Sequence, residues 1–140
     1  MVLLGLDYGE KTVGVAVTDP LGITAQPLET IFRSNPTHLR STLRRLEEII
    51  CERKAEKIVL GYPKNMDDSA GYRCEETLKF KEMLEKRLGL VVELEDERLS
   101  TVAAEDILIE SGVKPGDRKA YIDKIAAQII LEQYINRQEA

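Results

Sequence analysis

The segment Leu4-Gly5-Leu6-Asp7-Tyr8-Gly9-Glu10-Lys11-Thr12-Val13-Gly14-Val15-Ala16-Val17-Thr18-Asp19 constrains the fold more than any other part of the chain. An apolar run from Val2 to Leu6 reaches an aspartate, Gly9 permits a sharp reversal, and a second apolar run from Val13 to Val17 leads away. Two adjacent strands are expected, with a carboxylate at the tip of the first. A strand that is apolar on both faces is buried within a sheet. A charge at its end then lies at the sheet edge, where it can meet a metal ion or a phosphate. A lone buried carboxylate is costly, so Asp7 requires a partner.

The rest of the chain continues this pattern. Strands are expected at 2–8, 12–18 and 25–32, with Asp19-Pro20-Leu21-Gly22 as the turn before the third. Asn35 and Pro36 read as the cap and first position of a helix carrying Leu39, Leu43, Leu46 and Ile50 and ending near Lys54. Lys57 to Tyr62 reads as a short buried strand, followed by a polar loop from Lys64 to Gly71. A helix from Tyr72 to Leu88 stops at Gly89, and Leu90 to Glu95 forms the last strand. A third helix starts at Leu99, Ser100 or Thr101 and stops at Gly112. Pro115-Gly116 reads as a loop, and the final helix covers 118–137. Three strands followed by alternating helices and strands predict an α/β fold: a five-stranded mixed sheet, three antiparallel strands and then β-α alternation, with helices on both faces. The 140 residues suffice for one domain, 1–140, with a real core.

Composition narrows the function classes. No apolar run approaches the roughly 20 residues of a membrane helix, and Asp7 interrupts the opening apolar residues too early for a signal peptide. A cytoplasmic location is expected. Cys51 and Cys74 form no CxxC or Cys/His cluster, so reduced, buried, structural thiols are expected and a zinc site is not. The net charge of -5 argues against a generic basic nucleic-acid binder, although local patches rather than totals decide binding.

Three acidic positions can converge at one sheet edge. Asp7 ends the first strand, Asp96 and Glu97 follow the last strand, and Asp123 lies near the start of the final helix. Asp123, Ala126, Ala127, Ile130 and Tyr134 share one helical face, otherwise apolar, with two alanines that permit close backbone approach. Mg²⁺ and Mn²⁺ are hard cations that prefer oxygen ligands. Carboxylates from separate elements can hold one or two such ions against a phosphodiester. Each acid also has an ordinary role open to it. Asp7 can cap a turn, Asp123 can complement a helix dipole, and Asp96 or Glu97 can pair with Arg98. Among the bases, Lys11, Arg98 and Lys119 lie nearest the expected edge, and Arg40, Arg44 and Arg45 share a helix. Asn65 and Ser69 can touch phosphates from the polar loop. Tyr8 can stack on a base or pack against the sheet edge.

At these residues the chain resembles the YqgF family, also called RuvX, of Holliday junction resolvase-like proteins in the RNase H-like superfamily. Four blocks carry the resemblance in the family's order: Gly5 to Ala16, Val59-Leu60-Gly61-Tyr62-Pro63-Lys64-Asn65-Met66-Asp67-Asp68-Ser69, Asp96-Glu97-Arg98-Leu99-Ser100-Thr101 and Ile122-Asp123-Lys124-Ile125-Ala126-Ala127. Thr12 and Asp68 stand where the family usually has Arg and Gly. The resemblance implies an RNase H-like fold and a nuclease of structured nucleic acid, with the 5′ end of pre-16S ribosomal RNA as the favoured substrate. It implies a Mg²⁺ or Mn²⁺ site on Asp7, Glu97 and Asp123, precursor ribosomal RNA and ribosomal particles as partners, and a monomer or homodimer. The alternatives are a Holliday junction (DNA) resolvase, which would favour a dimer, and a non-catalytic RNA- or ribosome-binding module. A nucleotide-binding reading of the Asp7-Tyr8-Gly9 turn finds no Walker-type motif to support it.

Overall fold

The computed structural model describes residues 1–63, 71–97, 100–118 and 121–139. Three strands, β1 (Val2–Tyr8), β2 (Thr12–Thr18) and β3 (Ala25–Phe32), lead to α1 (Arg40–Arg53) and β4 (Ala55–Tyr62). Then come α2 (Tyr72–Leu88), β5 (Val91–Asp96), α3 (Ser100–Glu110), the short α4 (Pro115–Arg118) and α5 (Ile122–Glu139). The strands form one mixed sheet in the order β3-β2-β1-β4-β5. β1 runs antiparallel to β2 and parallel to β4, and β4 runs parallel to β5. The carboxyl ends of β1, β4 and β5 therefore share one edge, and β1 lies at the centre.

The pleat sorts side chains by parity onto two faces. Leu4, Leu6, Tyr8, Val13, Val15, Ile58, Leu60 and Val92 face Leu43, Leu46 and Ile49 of α1 and Phe80 and Leu84 of α2. Burying each such large side chain contributes about 1.5–3 kcal/mol. The opposite face carries Leu3, Ala16 and Val59, which pack against Ala127, Ile130, Leu131 and Tyr134 of α5. α3 packs on α5. Helices cover both faces, as the order of elements predicts.

Small residues let α5 approach closely. Gly5, Gly14 and Gly61 occupy α5-facing positions of the three central strands. A Cβ on Gly5 would lie 3.0 Å from the Ala127 carbonyl, and one on Gly14 would collide with the Asp123 carbonyl. Ala127 is fully buried at the same contact. The α5 stripe expected from its spacing is thus the stripe that packs.

Three expectations need correction. α1 starts at Arg40, because Asn35 closes a turn of its own. Its Oδ1 accepts from the Thr37 N–H at 3.0 Å and the Thr37 hydroxyl at 2.8 Å, and Leu39 caps α1 without a side-chain bond. The final helix starts at Ile122, because Pro115 opens the separate turn of α4. Cys51 is exposed: two positions past buried Ile49, it points away from the core face of α1. Cys74 is buried and donates its thiol to the Pro63 carbonyl at 3.3 Å.

Replacing Gly14 should therefore unseat α5. Gly14→Ala is expected to destabilise the protein by about 1–3 kcal/mol or more. Gly116→Ala, which meets nothing within 4 Å, should stay within about 0.5 kcal/mol of the parent. Urea denaturation of the two variants measures the difference, and equal midpoints would contradict the seating of α5 on Gly14.

Candidate active site

Asp7 occupies the α5 side of β1, since Leu3 and Gly5 share its parity. Its antiparallel neighbour is Gly14, the residue over which the Asp123 carbonyl sits. The first turn of α5 is thereby held beside the tip of β1. On β5, Leu94 belongs to the α1–α2 core, which places Asp96 on that side and Glu97 on the side of Asp7. The Glu97 N–H donates to the Tyr62 carbonyl at 3.2 Å, so the β4–β5 ladder extends one residue beyond the strand and fixes the Glu97 backbone. The Glu97 carboxyl reaches over Gly61, and a Cβ there would collide with Oε2. A missing side chain on β4 makes the space that Glu97 fills.

Asp7 and Glu97 meet as a hydrogen-bonded pair of carboxyl groups. Loss of water pushes the Glu97 pKa up to about 10, with the Asp7 charge and the bond to Asp7 acting in the same direction. Burial also raises the pKa of Asp7, and the charge of Asp123 adds to that rise. The Glu97 bond acts the opposite way on Asp7, as expected when protonated Glu97 donates to the Asp7 carboxylate. Asp123 acts through its charge alone. Among the described residues, no three carboxylate, imidazole or thiol groups form a ready-made shell for one ion. The fold brings two acids into contact and keeps the third within electrostatic range.

The donor set suits a hard divalent cation. All its atoms are carboxylate oxygens, and the coupling of Asp7 to Glu97 raises the cost of ionising both, a cost that a cation between them would remove.

Of the nucleic-acid contacts expected from the sequence, Lys11 is exposed on the β1–β2 turn. Arg98, Lys119, Asn65 and Ser69 lie outside the described residues. Arg45 makes a bidentate pair with Glu29, at 3.0 Å through Nε and 2.7 Å through Nη2, while Arg40 and Arg44 stay exposed. Tyr8 is buried and stacks on Phe80, with centroids 4.1 Å apart and planes 9° from parallel, so it packs inside the fold. Sequence reasoning missed Arg73. Its Nη2 donates to the Tyr8 carbonyl at 2.8 Å, and its charge pulls down the pKa values of both Asp7 and Glu97. The topology held the signal: a helix that follows a parallel strand begins at the strand's carboxyl edge.

The chain matches the family model described as "RuvX: Holliday junction resolvase" over residues 1–137. It is 54% identical to a protein of Agathobacter rectalis named "Putative pre-16S rRNA nuclease", over 97% of this chain and 95% of that one. A protein of Lachnospira eligens with the same name is 51% identical, with 99% of each chain covered. Among solved structures, RuvC of T. thermophilus in complex with a Holliday junction substrate matches with a TM-score of 0.57 at 16% identity, covering 99% of this chain and 96% of that one. The fowlpox virus Holliday junction resolvase matches with a TM-score of 0.55 at 14% identity, with both chains fully covered. The two structures show a shared RNase H-like fold, and the sequence matches place this chain in the RuvX family.

Proposed function

We propose that this chain is a divalent-cation-dependent nuclease that hydrolyses phosphodiester bonds at the 5′ end of precursor 16S ribosomal RNA. The observation that carries the reading is the Asp7–Glu97 pair, held at the carboxyl edge of the sheet under the first turn of α5. Relatives at about half identity, aligned along their whole length and named for pre-16S rRNA, support RNA as the substrate. The family description favours a second reading, cleavage of four-way DNA junctions. Among the described residues no helix is long and apolar enough to cross a membrane, which suits work on ribosomal precursors in the cytoplasm.

Asp7, Glu97 and Asp123 are the residues that would hold Mg²⁺ or Mn²⁺. Such an ion, when bound, supplies Lewis-acid stabilisation of phosphoryl oxygens and lowers the pKa of the attacking water. The protein's part is placement. β1 fixes Asp7, the extended β4–β5 ladder fixes Glu97, and the seat of α5 on Gly14 fixes the Asp123 backbone. The Glu97 carboxyl holds the proton it shares with Asp7, and it would have to release that proton to serve as a ligand. Lys11, exposed on the adjoining turn, would meet the phosphate backbone.

Asp7→Asn should retain the fold and abolish cleavage of a precursor 16S transcript in Mg²⁺ or Mn²⁺. Robust metal-dependent cleavage by that variant would reject the assignment, and parallel assays on a four-way junction decide between RNA and DNA.

The raised pKa of Glu97 also gives stability a defined pH dependence. The unfolded chain releases this proton near the ordinary value of 4.5, whereas the folded chain holds it to about 10. The stabilisation is complete below the lower value and is lost as pH rises towards the upper one, at up to about 1.4 kcal/mol per pH unit. In EDTA, the denaturation free energy should fall with pH through neutrality. Glu97→Gln should flatten that slope, and added Mg²⁺ should flatten it in the parent protein. A parent slope equal to that of Glu97→Gln would show that no such proton is held.

A further inference from the structure

On the α1–α2 side of the same edge, a cavity of about 320 Å³ opens between the β1–β2 turn and the start of α2. Its walls include Arg33, Arg73, Glu10 and Glu76. Arg33 follows β3 and is only 6% exposed. Its Nη2 donates to the Gly9 and Glu10 carbonyls at 2.5 and 2.6 Å, its Nε donates to the Pro36 carbonyl at 3.4 Å, and its guanidinium lies 4.9 Å above the Tyr8 ring. The remaining terminal nitrogen, Nη1, is buried without a hydrogen-bond acceptor. Among the described residues, neither Arg33 nor Arg73 has a carboxylate within ion-pair distance.

This arrangement is unfavourable as it stands. A buried donor without an acceptor costs about 1–3 kcal/mol, and the Arg33 guanidinium loses water with only the more distant charge of Glu10 to offset it. Burial lowers the Arg33 pKa most and the charge of Arg73 lowers it further, while Tyr8 and the charge of Glu10 work against both. Arg33 and Arg73 line one cavity with Glu10 and Glu76; the Arg33 Nη1–H is buried without an acceptor, and a phosphate oxyanion entering between the two guanidinium groups, with Arg33 turning to meet it, would supply one. The first turn of α2 adds the positive end of a helix dipole. Arg73 also acts on Asp7 and Glu97, so the cavity adjoins the acidic pair rather than standing apart from it.

We propose that the cavity between Arg33 and Arg73 is a subsite for a non-scissile phosphate of the nucleic-acid strand whose neighbouring bond lies at Asp7 and Glu97. The proposal rests on the nuclease reading and adds the strand's path: over the β1–β2 turn, from the acids towards α2.

Binding measured without turnover tests it. The probe is a labelled RNA oligonucleotide spanning the mature 5′ end of 16S rRNA, titrated in Ca²⁺ at several salt concentrations. A parallel set carries one neutral methylphosphonate at a time. Arg73→Gln should weaken binding about tenfold and reduce the salt slope by about one. Arg53→Gln, before β4 at the opposite edge of the sheet, should bind as the parent does. One methylphosphonate position should weaken the parent yet leave Arg73→Gln unaffected. Arg33→Lys, which keeps the charge but loses the guanidinium fork, should weaken binding with its circular dichroism unchanged. Parental affinity and slope in Arg73→Gln would overturn the subsite, as would equal methylphosphonate effects in both proteins or no RNA binding by the parent. Retained cleavage by Asp7→Asn alongside an Arg73-dependent phosphate would remove the hydrolase assignment and leave the subsite standing.

Discussion

The close approach of α5 to the sheet is the constraint on which the rest of the molecule depends. A helix normally packs on a sheet through two layers of side chains. Here that packing is thinned, because Gly5, Gly14 and Gly61 present backbone between Leu3, Ala16 and Val59, and Ala127 answers with a methyl group. The first turn of the helix consequently lies against the sheet near its carboxyl edge, where the tips of β1 and β5 each carry an acid. The absence of side chains at two of these positions is what creates room for the acids. Gly61 vacates the volume that Glu97 enters, and Gly14 admits the backbone of Asp123.

The electrostatics follow from that packing. A carboxyl pair at an open surface would ionise and separate. Between a sheet and a helix it loses water, so a proton is retained between Asp7 and Glu97, and Asp123 and Arg73 tune the pair from opposite signs. The site is therefore kept at some cost to stability. Its donors are carboxylate oxygens, the kind a hard divalent cation would satisfy with more charge. Fold and site share one origin: the packing that buries the apolar stripe of α5 also desolvates the acids.

Much of this was legible in the sequence, and for physical reasons. Strands announced themselves as apolar runs, and the order of elements fixed a mixed sheet with a common carboxyl edge. Asp7 stood out because a charge ends a buried strand, and Asp123 because a charge opens an apolar helical stripe. The choice between Asp96 and Glu97 needed the pleat, since adjacent residues on a strand point to opposite faces and one-residue shifts in strand boundaries exceed what periodicity resolves. Asn35 misled because the same side chain serves a helix cap and a local turn equally well. Arg33 left no trace in any pattern. It lies just past an edge strand, and its burial depends on carbonyls of a turn more than twenty residues away.

Helix α5 also sets the order in which the molecule is completed. Biosynthesis runs from the amino terminus, and the strands emerge before the helix that covers one face of their sheet. Until α5 docks, Leu3, Ala16 and Val59 border a glycine-lined trough open to water, and Glu97 has no cover to strip its solvent. In a nascent chain that has already made its sheet, these acids therefore meet more water than in the finished fold. Burial, the largest cause of the raised proton affinity of Asp7 and Glu97, is completed when α5 closes over this edge.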